Sequence, residues 1–200
     1  LPIWLIYERI QAIRQIERLA ARVHSELTRS AEILRLSYDP AYDPLPQPKA
    51  QFSLPIDITL DRSAISVDAI RAGFSAQLKE RRNIEITRGM TTIGPHRDEL
   101  RFLANGIDLG IFGSRGQARS VVLSLKLAEV AWMKEITGEW PVLLLDEVLA
   151  ELDPQRRSDL LSHLLQSEQS LLTTTDLDLF DLEFTKAAKI WKIQQGRVIQ

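Results

Sequence analysis

Residues 142–153 read Val-Leu-Leu-Leu-Asp-Glu-Val-Leu-Ala-Glu-Leu-Asp, an apolar run that ends in the paired carboxylates Asp146 and Glu147, with a further acid at Asp153. Opened by Pro141, such a run is expected to form a buried central strand of a parallel sheet, which commits the chain to an α/β fold. Open α/β sheets bind ligands beyond the carboxyl ends of their strands. Two adjacent carboxylates there suit nucleotide chemistry. Asp146 would hold a hydrated Mg²⁺, and Glu147 would orient and deprotonate an attacking water. A buried strand followed by an acidic loop would carry the same residues, so the motif alone does not decide.

A second segment bears on the choice. Gly113-Ser114-Arg115-Gly116-Gln117 precedes a helical run from Ala118 to Ile136, with Thr137-Gly138 as its stop. A helix start with two glycines and a serine offers backbone N–H groups, a hydroxyl and the positive dipole end to a phosphate. Taken singly, the pentapeptide reads better as an ordinary capped loop. Order and spacing shift the balance. A phosphate-binding helix start, a strand ending Asp-Glu and then Glu151-Leu152-Asp153 is the layout of an ABC-type ATPase head.

At this level of detail the chain resembles the RecF family of bacterial recombination and replication-repair proteins. Gly113 to Arg119, followed by Leu123-Ser-Leu-Lys-Leu-Ala-Glu129, looks like the RecF signature segment. Thr92-Ile-Gly-Pro-His-Arg-Asp-Glu-Leu100 is similar to the Gly-Pro-His-Arg-Asp segment that precedes it in RecF proteins. Asp146-Glu147 matches the Walker B pair and Glu151-Leu152-Asp153 the D-loop. The likeness is strong over residues 84–200 and weaker over the first 83.

The resemblance implies the carboxyl-terminal half of an ABC-type head (84–200) plus part of a mainly helical arm lobe (1–83). It implies ATP and Mg²⁺ as cofactors, with Asp146 toward the metal and Glu147 as the catalytic base. In ABC heads the signature of one protomer faces a nucleotide held by another. Ser114, Arg115, Gly116 and Gln117 would thus act in trans within an ATP-dependent homodimer, with Asp153 aligning the two sites. The implied partners are single-stranded and gapped DNA and the RecO and RecR mediators, in the cytoplasm.

No Gly-x-x-x-x-Gly-Lys-Ser/Thr loop occurs in the 200 residues, and the chain begins at Leu1. Both fit a carboxyl-terminal portion whose P-loop lies upstream, so this piece alone is expected to be inactive. Rival readings are the head of a long-coiled-coil ATPase, a transporter subunit and a degenerate, partner-binding head. A transporter should carry a Leu-Ser-Gly-Gly-Gln signature and a switch histidine. Here the strand after the D-loop helix ends Thr173-Thr-Thr-Asp176 without one.

Composition narrows the classes further. Zero cysteines exclude disulfides, thiolate catalysis and cysteine-held metals. A net charge of −2 means that any nucleic-acid contact must come from a local patch. Three scattered histidines (24, 96 and 163) suggest no metal cage, and nothing suggests a membrane span.

Residues 3–38 contain neither Gly nor Pro, and Ile6, Ile10, Ile13, Ile16, Ala20, Val23, Leu27, Ala31 and Leu34 keep helical spacing. One unbroken arm helix of roughly 50 Å is expected. Arg14, Arg18 and Arg22 form a stripe on it, read as a salt-bridged face because Glu8, Glu17, Glu26 and Glu32 sit among them. A strand is expected over residues 56–60, a helix from Ser66 to about Arg82, and a short strand around Ile84 and Ile86. Hairpins are expected at Asn105-Gly106 and Gly196, a helix after Asp153-Pro154, and a strand over 171–175. His96 and Arg97 suit a DNA- or nucleotide-linked role or a hydrogen-bonded turn equally. Trp132 and Trp140 are expected in the core.

Overall fold

The computed structural model describes residues 2–45 and 60–199, and the chain divides into two compact units, Leu1–Trp132 and Met133–Gln200. The strand expected over 56–60 lies outside the described residues except for Leu60. Strands from before and after residue 83 share one sheet within the first unit.

In the first unit, α1 (Pro2–Leu27) carries its apolar stripe inward, burying Ile6, Ile10, Leu19, Ala20, Val23 and Leu27. The helix stops at Leu27, so the expected run to residue 38 is too long. Ser30 N–H closes onto the Ser25 carbonyl at 2.7 Å, with Arg29 (φ 52°) and Ser30 (φ 61°) both left-handed. Left-handed backbone at two non-glycine residues costs about 1–2 kcal/mol each, so surrounding contacts must impose the turn. Asn105 supplies them. Its Oδ1 accepts from Ile33 N–H at 2.9 Å, and its amide donates to the Ala31 carbonyl at 3.2 Å.

The chain then forms β1 (Leu34–Asp39), where Leu34, Leu36 and Tyr38 alternate inward. β1 pairs antiparallel with β2 (Glu99–Ala104), and β2 turns through Asn105-Gly106 into β3 (Ile107–Asp108). Positive φ at Asn105 and Gly106 (50° and 79°) matches the tight hairpin that Asn-Gly signals. Between β1 and β2 lies α2 (Val67–Arg88), N-capped by Ser66 and ended by left-handed Gly89. Ile84 and Ile86 are therefore helical and exposed, not a strand: α2 continues through them to Arg88, and among the described residues no strand pairs with them. One core joins Ile6, Ile10, Tyr38, Tyr42, Ile70, Phe74 and Ile93; another joins Leu19, Leu34, Leu36, Ala104, Val121 and Ala128, with Trp132 packed against it. Each such buried aliphatic side chain contributes about 1.5–3 kcal/mol.

The short helix α3 (Leu109–Phe112) leads into α4 (Arg115–Thr137), whose last residues count with the second unit. In that unit β4 (Leu143–Asp146) pairs parallel with β5 (Ser170–Thr173), joined by α5 (Pro154–Leu164). This is the expected βαβ arrangement, but β4 is not buried. Leu144 is 75% exposed, because among the described residues β4 has one paired neighbour and one covered face. The short helix α6 (Leu182–Ala187) and the hairpin of β6 (Lys192–Gln194) and β7 (Arg197–Ile199) complete the unit. Trp140 is half-buried, with Lys134 Nζ 3.6 Å from its ring centre, so it is a surface cation–π partner and not core. No described helix is long and apolar enough to cross a membrane.

Candidate functional site

The signature segment is a capping box at the start of α4. Ser114 Oγ accepts from Gln117 N–H at 3.2 Å, and Gln117 Oε1 accepts from Ser114 N–H at 2.9 Å. This reciprocal pair satisfies two donors of the first turn. Arg115 and Gly116, at the first two helical positions, have N–H groups that the helix cannot satisfy. The Ser114 hydroxyl acts as acceptor in the cap and so keeps its own proton. A turn with a free hydroxyl proton, two N–H groups and an exposed arginine can receive an anion. Behind it, Gln117 Nε2 donates to Glu32 Oε1 at 3.0 Å, and Glu32 Oε2 lies 3.0 Å from Nε2 of the fully buried His24. No local spacing signals a contact between residues 24, 32 and 117, and the sequence reading missed it.

In the Gly-Pro-His-Arg-Asp segment the conformation is set by Gly94, whose φ of 130° with ψ of 165° is open essentially to glycine alone. The acid, not the histidine or arginine, is the buried member. Asp98, with a side chain 4% exposed, accepts from Arg9 Nη1 at 2.6 Å, Tyr38 Oη at 2.5 Å and Ala41 N–H at 3.0 Å. Arg9 also donates to the Pro95 carbonyl at 2.5 Å. Burial first, and then the bond to Asp98, pushes the Tyr38 phenol well above its ordinary value. The His96 and Arg97 side chains stay exposed, His96 bonded to Thr91 Oγ1 at 2.8 Å and Arg97 donating to the Thr91 carbonyl at 3.1 Å. The arginine stripe on α1 is engaged by neighbours, Arg14 by Ser63 and Arg22 by Glu26.

In the second unit, parallel register places Thr173 opposite Asp146. The Thr173 hydroxyl donates to Asp146 Oδ1 and accepts from Glu147 N–H at 3.1 Å. One threonine thus braces both carboxylate residues. Glu147 itself is left-handed (φ 50°), which swings its exposed side chain off the strand. Such backbone costs of order 1–3 kcal/mol and clusters at functional sites. The Thr173 hydroxyl on Asp146 leaves Oδ2 for a hydrated cation, which suits Mg²⁺ because that ion uses one or two carboxylates and keeps its waters. Asp153 is the N-cap of α5, accepting from Arg156 N–H at 3.0 Å and ion-paired to its guanidinium; those bonds hold its carboxyl below its ordinary value. Arg157 donates to the carbonyls of Leu149 and Leu152, fixing the turn between them.

The chain as a whole has counterparts among known proteins. The chain is 38% identical over 196 residues to the DNA replication and repair protein RecF of Bacillus subtilis, and 37% identical over 196 residues to that of Chloroflexus aurantiacus; each match covers 98% of this chain. The chain is a RecF homologue. It spans about half the length of these curated relatives, 48% and 46% respectively. The fold agrees. A solved structure of the recombination mediator protein RecF with ATPrS in the RecFOR pathway superposes with a TM-score of 0.74 at 25% identity, covering 98% of this chain and 46% of that one. A second, of RecF with ATP, gives 0.70 at 26% identity over 89% of this chain and 44% of that one. No family model matches the chain.

Proposed function

We propose that the longer protein containing this chain is a RecF-type ATPase of DNA repair and replication, and that this chain supplies one strand-end catalytic pair and one signature turn. The observation that carries the reading is the strand end at which Thr173 braces Asp146 and Glu147 together, in a chain homologous to RecF along its length. Asp146 is the residue for Mg²⁺, which when bound neutralises phosphate charge. Glu147, swung off the strand by its left-handed backbone, takes the proton of the attacking water. Ser114, through its free hydroxyl proton, and the Arg115 and Gly116 N–H groups contact the γ-phosphate of ATP held by a second protomer. Gln117 caps the turn. Asp153 shapes the D-loop by starting α5.

On this reading ATP joins two copies and hydrolysis separates them, timing residence on single-stranded or gapped DNA beside RecO- and RecR-type mediators. Residues 1–83 belong to the arm and 84–200 to the head. The chain by itself lacks a phosphate-cradling loop, so saturable micromolar ATP binding by these 200 residues alone would contradict the assignment. The test uses the full-length protein. A positioned general base is worth about 10²–10⁴ in rate, so Glu147→Gln should retain ATP, lose turnover by that factor and prolong the dimer. Ser114→Ala should weaken ATP-driven dimerisation while leaving ATP binding by the monomer intact. Unchanged turnover in the first variant, or unchanged dimerisation in the second, removes that residue from the mechanism.

A further inference from the structure

The polar chain behind the signature turn has a direction that hydrogen-bond chemistry fixes. Ser124 donates its one hydroxyl proton to the Ser120 carbonyl at 2.7 Å. Toward His24 Nδ1, 3.0 Å away, its oxygen can then only accept, so Nδ1 carries the ring hydrogen. Nε2 faces Glu32 Oε2 at 3.0 Å, and one proton must lie between them. Wherever that proton sits, Glu32 Oε1 remains an acceptor. The Gln117 amide must therefore turn its NH₂ to Glu32 and its oxygen to Ser114 N–H, the orientation observed. A Gln117 amide turned the other way would set acceptor against acceptor at Glu32 and donor against donor at Ser114.

The chain is held at both ends. His24 is fully buried on α1 and reaches α4 at Ser124, two turns beyond Gln117 and on the same face. Glu32 sits in the loop between α1 and β1, and Asn105 clamps that loop on both sides of it, at Ala31 and Ile33.

We propose that Glu32 and His24 are positioning residues for the signature turn. By fixing which way the Gln117 amide points, they keep the Ser114 hydroxyl proton and the first N–H groups of α4 aimed outward to a phosphate oxygen. The arm helix α1, through His24, thereby acts on the phosphate-contacting turn. The proposal rests on Ser114 contacting nucleotide in trans, as proposed above.

The experiment compares Glu32→Ala, Glu32→Gln and Ser114→Ala in the full-length protein, reading ATP affinity of the monomer and ATP-driven dimerisation separately. Losing a hydrogen bond to a charged group is worth about a tenfold effect or more, so Glu32→Ala should weaken dimerisation about tenfold at unchanged monomer affinity. Glu32→Gln should rescue it to within about twofold, since its amide oxygen still accepts from Gln117 and its NH₂ can donate to His24 Nε2. When Glu32→Ala and Ser114→Ala are combined in one chain, the two effects should not add, because one acts through the other. If Glu32→Ala does not fold, Glu32→Asp takes its place. It keeps the charge but withdraws the carboxylate by one methylene, and the same loss is expected. Normal dimerisation in the Glu32 variants beside an impaired Ser114→Ala overturns the positioning role alone. So do effects that multiply in the double variant, or a loss that glutamine does not rescue. An unimpaired Ser114→Ala overturns the trans contact itself, and the positioning role with it.

Discussion

Replacing Asp98 by alanine separates the parts of the Gly-Pro-His-Arg-Asp segment. The substitution strips acceptors from three donors at once. Tyr38 is 7% exposed, so its hydroxyl loses its partner in a place water barely reaches. An orphaned buried donor costs about 1–3 kcal/mol, and the Ala41 N–H adds a smaller amount of the same kind. Arg9 is 32% exposed and keeps the Pro95 carbonyl, so its lost ion pair is largely screened and worth roughly 0.5–1 kcal/mol. The total is about 2–5 kcal/mol. Asp98→Asn keeps shape and part of the acceptor capacity and should cost about 1.5–3 kcal/mol.

Native-state hydrogen exchange in the full-length protein reads this locally. Protection of the Glu99–Ala104 amides should fall by about one to four decades in Asp98→Ala, at about 1.4 kcal/mol per decade. His96→Ala and Arg97→Ala, which remove only exposed contacts to Thr91, should each cost about 0.5 kcal/mol or less. Loss of less than about 1 kcal/mol in Asp98→Ala would refute the view that this segment is a joint built around its acid. Comparable losses in all three variants would refute the distinction between the buried acid and the exposed pair.

Thr173→Val removes the hydroxyl bridging Asp146 and Glu147 and should slow steady-state ATP turnover of the full-length protein by about tenfold or more, with Thr173→Ser near normal. Unchanged turnover in the valine variant would deny Thr173 its bracing role. Asp43 gives a pH signature. Burial alone would raise its carboxyl, but bonds from Arg62 Nε at 2.9 Å and Nη2 at 2.6 Å outweigh that and hold it below its ordinary value. A carboxyl lowered on folding contributes stability above its unfolded value and loses it as pH falls through the folded one. The protein should therefore exceed Arg62→Met in stability at neutral pH, and that advantage should shrink as pH falls below about 4. A stability gap that stays constant on acidification would exclude the pair as its source.

Features encoded locally were legible in the sequence. Asn105-Gly106 turned as expected, Ser66 and Asp153 cap the helices that follow them, and parallel β4 and β5 flank α5. What failed did so where tertiary contacts override local pattern. Nothing between residues 27 and 34 announces a stop, since the chain turns there on two left-handed residues with neither Gly nor Pro. Leu34 happened to extend a helical spacing, yet strand alternation with Leu36 and Tyr38 is what the sheet buries. The acidic pair was visible as a motif, whereas its brace was not: Asp146 and Thr173 meet only through the register of two strands 27 residues apart.

The signature turn shows how a bland and a sharp reading of the same residues can both hold. Ser114-Arg115-Gly116-Gln117 is an ordinary capping box, worth about 1 kcal/mol to the helix. That role uses a lone pair of Ser114 and the backbone N–H of Gln117, and leaves the hydroxyl proton and two N–H groups unspent. Capping and phosphate contact would draw on different atoms, so the two roles do not compete for the same groups. What distinguishes this box from a cap that only ends a helix is the far side of Gln117, where a carboxylate and a buried imidazole dictate the amide's orientation. A cap needs its glutamine oxygen near Ser114 N–H; it does not need that oxygen held there from 85 residues away.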